Sequence, residues 1–230
     1  MPPSPVPPAP VVPIFATPFA VLQLPEAEKL NAIVAGLMNE RAASFGASHG
    51  ASPDAPAPPL CYRSPEDLLE WQDPSVQKVV GEVARGLWSV VASVSDFSDE
   101  ILKSLSLQAR AAFTIVHPDG SVPAHSYPLT SWCGVYCVEA PPPSTTRADS
   151  GMLRLYESRL ATMFSDPSNN RMRIPYTAGH YSWRPVPGEA AFFPASVTHE
   201  VAMVRAPGRL ILLTLRGRFI GPGQEAVPRW

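Results

Sequence analysis

Apolar residues recur at helical spacing in the first hundred residues and at strand spacing in the rest. "EAEKLNAIVAGLMNERAAS" places Leu30, Ile33, Val34, Leu37 and Met38 three and four apart, which predicts an amphipathic helix. The preceding "PFAVLQLP" at 18–25 alternates as a strand does. From Ser64, "SPEDLLEW" combines a capping serine, proline at the first helical position and acids in the first turn, the signature of a helix start. A second helix is expected from about Ser75 to Ser93, with Val79, Val80, Val83 and Leu87 on one side.

After about Leu105 the pattern changes. "ARAAFTIV", "TSWCGVYCVEA", "GMLRLYES", "HYSWRPV", "EAAFFPA" and "GRLILLTLRGRF" are short segments rich in β-branched and aromatic residues, separated by Pro, Gly, Asp, Asn and Ser. Strands at this spacing imply a sandwich or barrel, and the simplest architecture is a jelly roll with the helices of about 26–95 packed on one face. No repeat of fixed period and no glycine-rich strand-to-helix turn is present, which removes a solenoid, a Rossmann fold and a P-loop. The 230 residues fit one domain, over 14–230, behind a proline-rich extended tail at 1–13. "FGASHGASPDAPAPP" at 45–59 reads as a long surface loop, and "STTRADSGM" and "MFSDPSNNRMRIP" as further loops.

Composition narrows the function by exclusion. A net charge of −2 offers no field for nucleic acid or anionic lipid, and no apolar run of membrane-spanning length occurs. The start "MPPSPVPPAPVVPIF" has neither the basic and apolar regions of a secretory signal nor a presequence's arginines, so the expected location is cytoplasmic. Cys61, Cys133 and Cys137 are odd in number and at no metal-ligand spacing, so they read as small buried thiols. The expected partner is a small-molecule or protein substrate, and an edge strand would permit a homodimer.

Candidate chemistry sits at strand ends. His125 and His199 each lie just before an expected strand, and a jelly roll gathers such ends at one mouth, where two imidazoles can ligate a divalent metal. Arg209 opens the apolar run Leu210, Ile211, Leu212, Leu213, ten positions after His199. A guanidinium there is costly to desolvate unless it meets an anion, either a bound carboxylate or an internal acid such as Glu189. Tyr136 shares strand parity with Trp132, opposite Cys133 and Cys137, and reads as a core tyrosine or as a donor to a bound ligand. Trp132, His180 and Trp183 are candidates for the substrate mouth.

Read in order, "PAHSYPLTSWCGVYCVEAP", "SGMLRLYESR" and "PVPGEAAFFPASVTHEVAMVRAPGRLILLTL" resemble the iron(II)- and 2-oxoglutarate-dependent oxygenase superfamily, with "PIFATPFAVLQLPEAEKLNAIV" and "YRSPEDLLEW" resembling its opening. The resemblance implies a cupin-like double-stranded β-helix in which His125 and His199 bind Fe(II), and Arg209, aided by Tyr136, binds 2-oxoglutarate. Two positions depart from it. Tyr127 stands two residues after His125, where the superfamily places Asp or His, and Ile211 stands where a serine is common. A phenol coordinates only after its pKa is greatly lowered. Four outcomes are open: Tyr127 ligates as phenolate, water or chloride fills the position as in two-histidine halogenases, His117 or Asp119 swings in, or metal binding is lost. Asp119 already has an explanation in its Pro-Asp-Gly turn. Two readings follow: an oxygenase coupling decarboxylation of 2-oxoglutarate to hydroxylase-type oxidation, or a degenerate jelly roll serving as a binding or assembly subunit.

Overall fold

The computed structural model describes residues 13–47, 59–157, 172, 174–176 and 179–222. Nearly all of the tail expected at 1–13 and most of the loops expected at 45–59 and 163–175 lie outside them. The architecture is mainly β with flanking helices. Strands β1 (Ala20–Gln23), β8 (Glu189–Pro194), β5 (Trp132–Glu139), β10 (Leu210–Ile220), β3 (Ser106–Val116) and β2 (Cys61–Arg63) form a six-stranded sheet in that order. Strands β4 (Val122–His125), β9 (His199–Val201), β6 (Leu153–Tyr156) and β7 (His180–Trp183) form a four-stranded sheet, and the strand pairings are antiparallel throughout. Helices α1 (Ala27–Ala47) and α2 (Pro74–Val94) pack on the six-stranded sheet, and a short α3 (Asp99–Ser104) leads into β3.

The six-stranded sheet is buried on both faces, and strand parity decides which core each residue joins. On β10, Ile211, Leu213 and Leu215 join Val34, Met38, Val79, Val83 and Leu87 under the helices. Leu210 and Leu212 face the other way, packing with Val135, Leu153, Phe193 and Val201 between the two sheets. β3 follows the same rule, with Phe113 and Ile115 toward the helices. Its long pairing with β10 runs from Leu210 opposite Val116 to Ile220 opposite Ser106 and holds the frame rigid.

α2 starts where Asp73 accepts from the backbone N–H groups of Ser75 (2.8 Å) and Val76 (3.3 Å), with Pro74 as the first helical residue. The helix expected from Ser64 does not form. Ser64 continues the pairing of β2 with β3 instead: its N–H donates to the carbonyl of Phe113 (2.9 Å), and its Oγ accepts from the Phe113 N–H (3.0 Å). Only one 3-10 turn, Leu68–Glu70, remains of the expected helix. No helix among the described residues is long and apolar enough to cross a membrane.

Candidate active site

β4 and β9 bring the two histidines together. His125 and His199 are direct cross-strand partners, each inside a short strand rather than ahead of one, and their ring centroids lie 4.4 Å apart. The Nδ1 of His125 lies 2.8 Å from the Pro123 carbonyl, and that of His199 lies 2.9 Å from the Val197 carbonyl. A carbonyl only accepts, so each Nδ1 carries a proton, and in the neutral ring Nε2 then keeps its lone pair. Ligating imidazoles are commonly oriented in this way. His199 is 3% exposed. Burial foremost, with the charges of His125 and Arg63 adding to it and the Val197 carbonyl opposing, pushes its pKa down to about 4. At neutral pH it is therefore an uncharged donor, and its Nε2 has no hydrogen-bond partner among the described residues.

Tyr127 completes an aromatic group around the pair. Its ring centroid is 5.1 Å from that of His125 and 5.6 Å from that of His199, and its hydroxyl donates to His125 Nε2 at 3.1 Å. Arg63 Nη2 donates to the same phenol oxygen at 3.4 Å, while the Arg216 guanidinium carbon lies 4.8 Å from the Tyr127 ring centroid. These cations favour the phenolate, yet burial outweighs them and raises the pKa. Tyr127 is thus a neutral phenol hydrogen-bonded to His125. Asp119 and His117 do not join the pair. Asp119 adopts the left-handed conformation (φ 65°) in an exposed turn and pairs with Arg205, and His117 lies in the same turn with its N–H bonded to the Leu60 carbonyl. Among the described residues no three His, Cys, Asp or Glu gather into a metal cluster.

The histidines open into a cavity of about 280 Å³ between the sheets. Its polar wall is His125, His199, Tyr127, Arg63, Thr114 and Thr214, and the rest is largely aliphatic. Arg209 is not part of it. The pairing of β10 with β5 shifts register between Ile211 and Leu212, and just ahead of β10 Arg209 forms a bidentate pair with Glu139 (3.1–3.2 Å) instead of meeting a ligand or Glu189. Ile211, two residues on, is fully buried under the helices. The continuous apolar run concealed this, because a strand buried on both faces carries no alternation from which parity can be read.

Other expected site residues also fall elsewhere. Tyr136 faces α1, where its hydroxyl donates to Asn31 Oδ1 at 2.5 Å, and burial raises its pKa to about 12. Trp132 packs on the same helix side, and Trp183 is buried between the sheets. His180 is exposed at the start of β7, its ring centroid 5.9 Å from that of Tyr156. The three cysteines are free, with Cys133 and Cys137 buried.

What the sequence reading missed is a cationic group beside Tyr127. Arg216 binds Glu66 through both carboxylate oxygens (2.5 and 2.6 Å), Arg63 approaches the same carboxylate at 3.4 Å, and Arg110 at 3.5 Å. Burial raises the Glu66 pKa, but the guanidiniums of Arg216, Arg63 and Arg110 together hold it below the usual carboxylate range. The signal lay in the register: Thr214 and Arg216 share the inward parity of Leu212.

The chain is similar to known proteins in fold and, over one segment, in sequence. No curated protein matches the chain in sequence. Among solved structures, AviO1 from Streptomyces viridochromogenes Tue57 superposes with a TM-score of 0.59 at 14% identity, covering 93% of this chain and 94% of that one. HygX from Streptomyces hygroscopicus, solved with nickel and 2-oxoglutarate, gives 0.54 at 13% identity, covering 90% and 84%. A Pseudomonas putida prolyl-4-hydroxylase gives 0.52 at 14% identity, covering 87% and 91%. At these identities the likeness establishes the jelly-roll fold. The family match is made by sequence: residues 113–211, which include both histidines and Tyr127, match the family described as "Putative 2OG-Fe(II) oxygenase". It favours an enzyme over a retired binding module, and the matched segment is the one that builds the histidine pair.

Proposed function

We propose that the chain couples decarboxylation of 2-oxoglutarate to a hydroxylase-type oxidation of a second substrate, with iron(II) held by His125 and His199. The observation that carries this is the cross-strand pair itself, two imidazoles whose Nδ1–H groups are tied to backbone carbonyls, so that Nε2 is the ligating atom of each, His199 Nε2 without a partner among the described residues and His125 Nε2 once the Tyr127 hydroxyl gives it up. Imidazole suits iron, and two neutral donors fit a divalent ion. They leave more of its positions open than a site with a carboxylate would, and they leave its charge uncompensated by protein. An anionic chelating oxo acid suits both conditions.

When bound, iron(II) with 2-oxoglutarate supplies dioxygen activation: one oxygen atom enters the substrate C–H bond, and the other enters succinate as carbon dioxide leaves. The protein's own residues orient and shield. The Pro123 and Val197 carbonyls fix the imidazole planes. Tyr127 withdraws its proton donation from His125 Nε2 for that nitrogen to ligate, and the hydroxyl is then free to donate to an anion in the cavity. Val135, Leu153, Val201 and Leu212 keep the wall dry.

Anaerobic titration of the apoprotein with ferrous iron and 2-oxoglutarate tests this. The weak visible charge-transfer band of the chelate is expected in the native protein and absent from His199→Ala. Equal metal content and an equal band in that variant would sink the assignment.

A further inference from the structure

We infer that Arg63 on β2, rather than Arg209, is the cation that receives the distal carboxylate of 2-oxoglutarate. The inference rests on the proposed function and concerns how the same cavity recognises its cosubstrate. Arg209 faces away and is already matched by Glu139. Arg63 is the one cationic side chain among the described residues that lines the cavity with His125 and His199. A diacid whose oxo-acid end meets the histidine-bound metal needs a second anchor in this wall, and a guanidinium fits a carboxylate with two parallel N–H donors.

The neighbours of Arg63 form the rest of a cradle. Arg63 is the direct cross-strand partner of Thr114, and Thr114 in turn of Leu212, so the three lie in one row across β2, β3 and β10. Thr214 lies two residues further along the inward face of β10. The hydroxyls of Thr114 and Thr214 have no hydrogen-bond partner among the described residues, so both can turn toward an anion.

The charge arrangement leaves Arg63 available. Three guanidiniums share the single carboxylate of Glu66, and Arg216 holds it with the two shortest contacts. The hydrogen bonds of Arg63, to Glu66 and to the Tyr127 hydroxyl, are 3.4 Å long, its guanidinium carbon lies 5.7 Å from the Tyr127 ring centroid, and its side chain is 43% exposed. Turning Arg63 into the cavity therefore gives up only long, half-exposed contacts, while Glu66 stays neutralised by Arg216 and Arg110.

Calorimetric titration of the nickel(II)-loaded full chain with two acids tests the assignment. One is 2-oxoglutarate, and the other is 2-oxopentanoate, which has the same carbon chain without the distal carboxylate. Arg63→Ala should weaken 2-oxoglutarate by about tenfold or more, the scale of a lost hydrogen bond to a charged group. It should leave 2-oxopentanoate unchanged, Arg63→Lys should recover part of the loss, and Arg209→Ala should bind both acids as the native protein does. An equal loss for both acids in Arg63→Ala, native binding by Arg63→Ala, or a selective loss in Arg209→Ala would each overturn the inference and leave the proposed function standing. Failure of the native protein to bind 2-oxoglutarate at all would overturn both.

Discussion

On the proposed function, Tyr127 decides how the metal shell is completed. As a buried neutral phenol it contributes no charge, and it occupies His125 Nε2 with a hydrogen bond that a metal must displace. Tyr127→Asp removes that competitor and sets a carboxylate beside the pair, where Arg63 and Arg216 already offset its charge. Nickel(II) affinity measured by calorimetry should rise by about tenfold, or 1.4 kcal/mol. The metal-free variant should lose stability on the order of 3 kcal/mol in denaturant titration, since a large buried ring is removed. Unchanged nickel affinity would mean that this position does not face the metal. Residue identity was legible where chemistry is rare: His125, His199 and Tyr127 stand out in sequence and meet in space. Arg63 was not legible, because an arginine at the end of a three-residue strand has no local pattern to mark it, and only the register with β3 turns it inward.

At the level of elements, helical period foretold α2 within a residue or two of each end, and the alternating or apolar runs located β1, β3, β5, β6, β7, β8 and β10. Ser64 marks where that reasoning stops. The same hydroxyl that caps a helix serves equally well as acceptor for a strand N–H, and the partner, Phe113, is remote in sequence. β2 and β9, at three residues each, are too short for periodicity to reveal, and β4 carries Pro123 inside its run. Two glycines in α2 separate propensity from packing. A Cβ at Gly81 would meet nothing within 4 Å, so Gly81→Ala should stabilise by about 1 kcal/mol through helix propensity alone. A Cβ at Gly86 would lie 2.7 Å from the ring edge of Phe192, which is itself fully buried. Overpacking there costs about 1–3 kcal/mol and outweighs the propensity gain, so Gly86→Ala should lower the melting temperature while Gly81→Ala raises it. Stabilisation by both would mean that α2 stands off the sheet further than its contacts indicate.

For the whole molecule, net charge and mean composition gave no hint of the site, because three guanidiniums around Glu66 vanish into a total of −2. The fold makes the concentration local. The helix-side core fixes one face of the six-stranded sheet, and the cavity occupies the other, between sheets. His125 and His199 belong to the four-stranded sheet, while Arg63, Thr114 and Thr214 belong to the six-stranded one. A metal with 2-oxoglutarate bound would therefore tie the two sheets together, and β4, with two exposed residues between its ends, has the most to gain. Ligand present at 100 times its dissociation constant stabilises a native state by about 2.7 kcal/mol. For a domain of this size that is a rise of about 5–10 °C in melting temperature. Nickel(II) and 2-oxoglutarate together should produce this rise and slow amide exchange in β4 and β9, whereas 2-oxoglutarate without metal should do little, because the buried His199 is neutral and offers its oxo-acid end no charge. His199→Ala should abolish the joint effect, since the metal then has a single imidazole. An equal rise from 2-oxoglutarate alone, retained in His199→Ala, would place the acid on the arginine cluster without the metal and separate anion binding from the histidine pair.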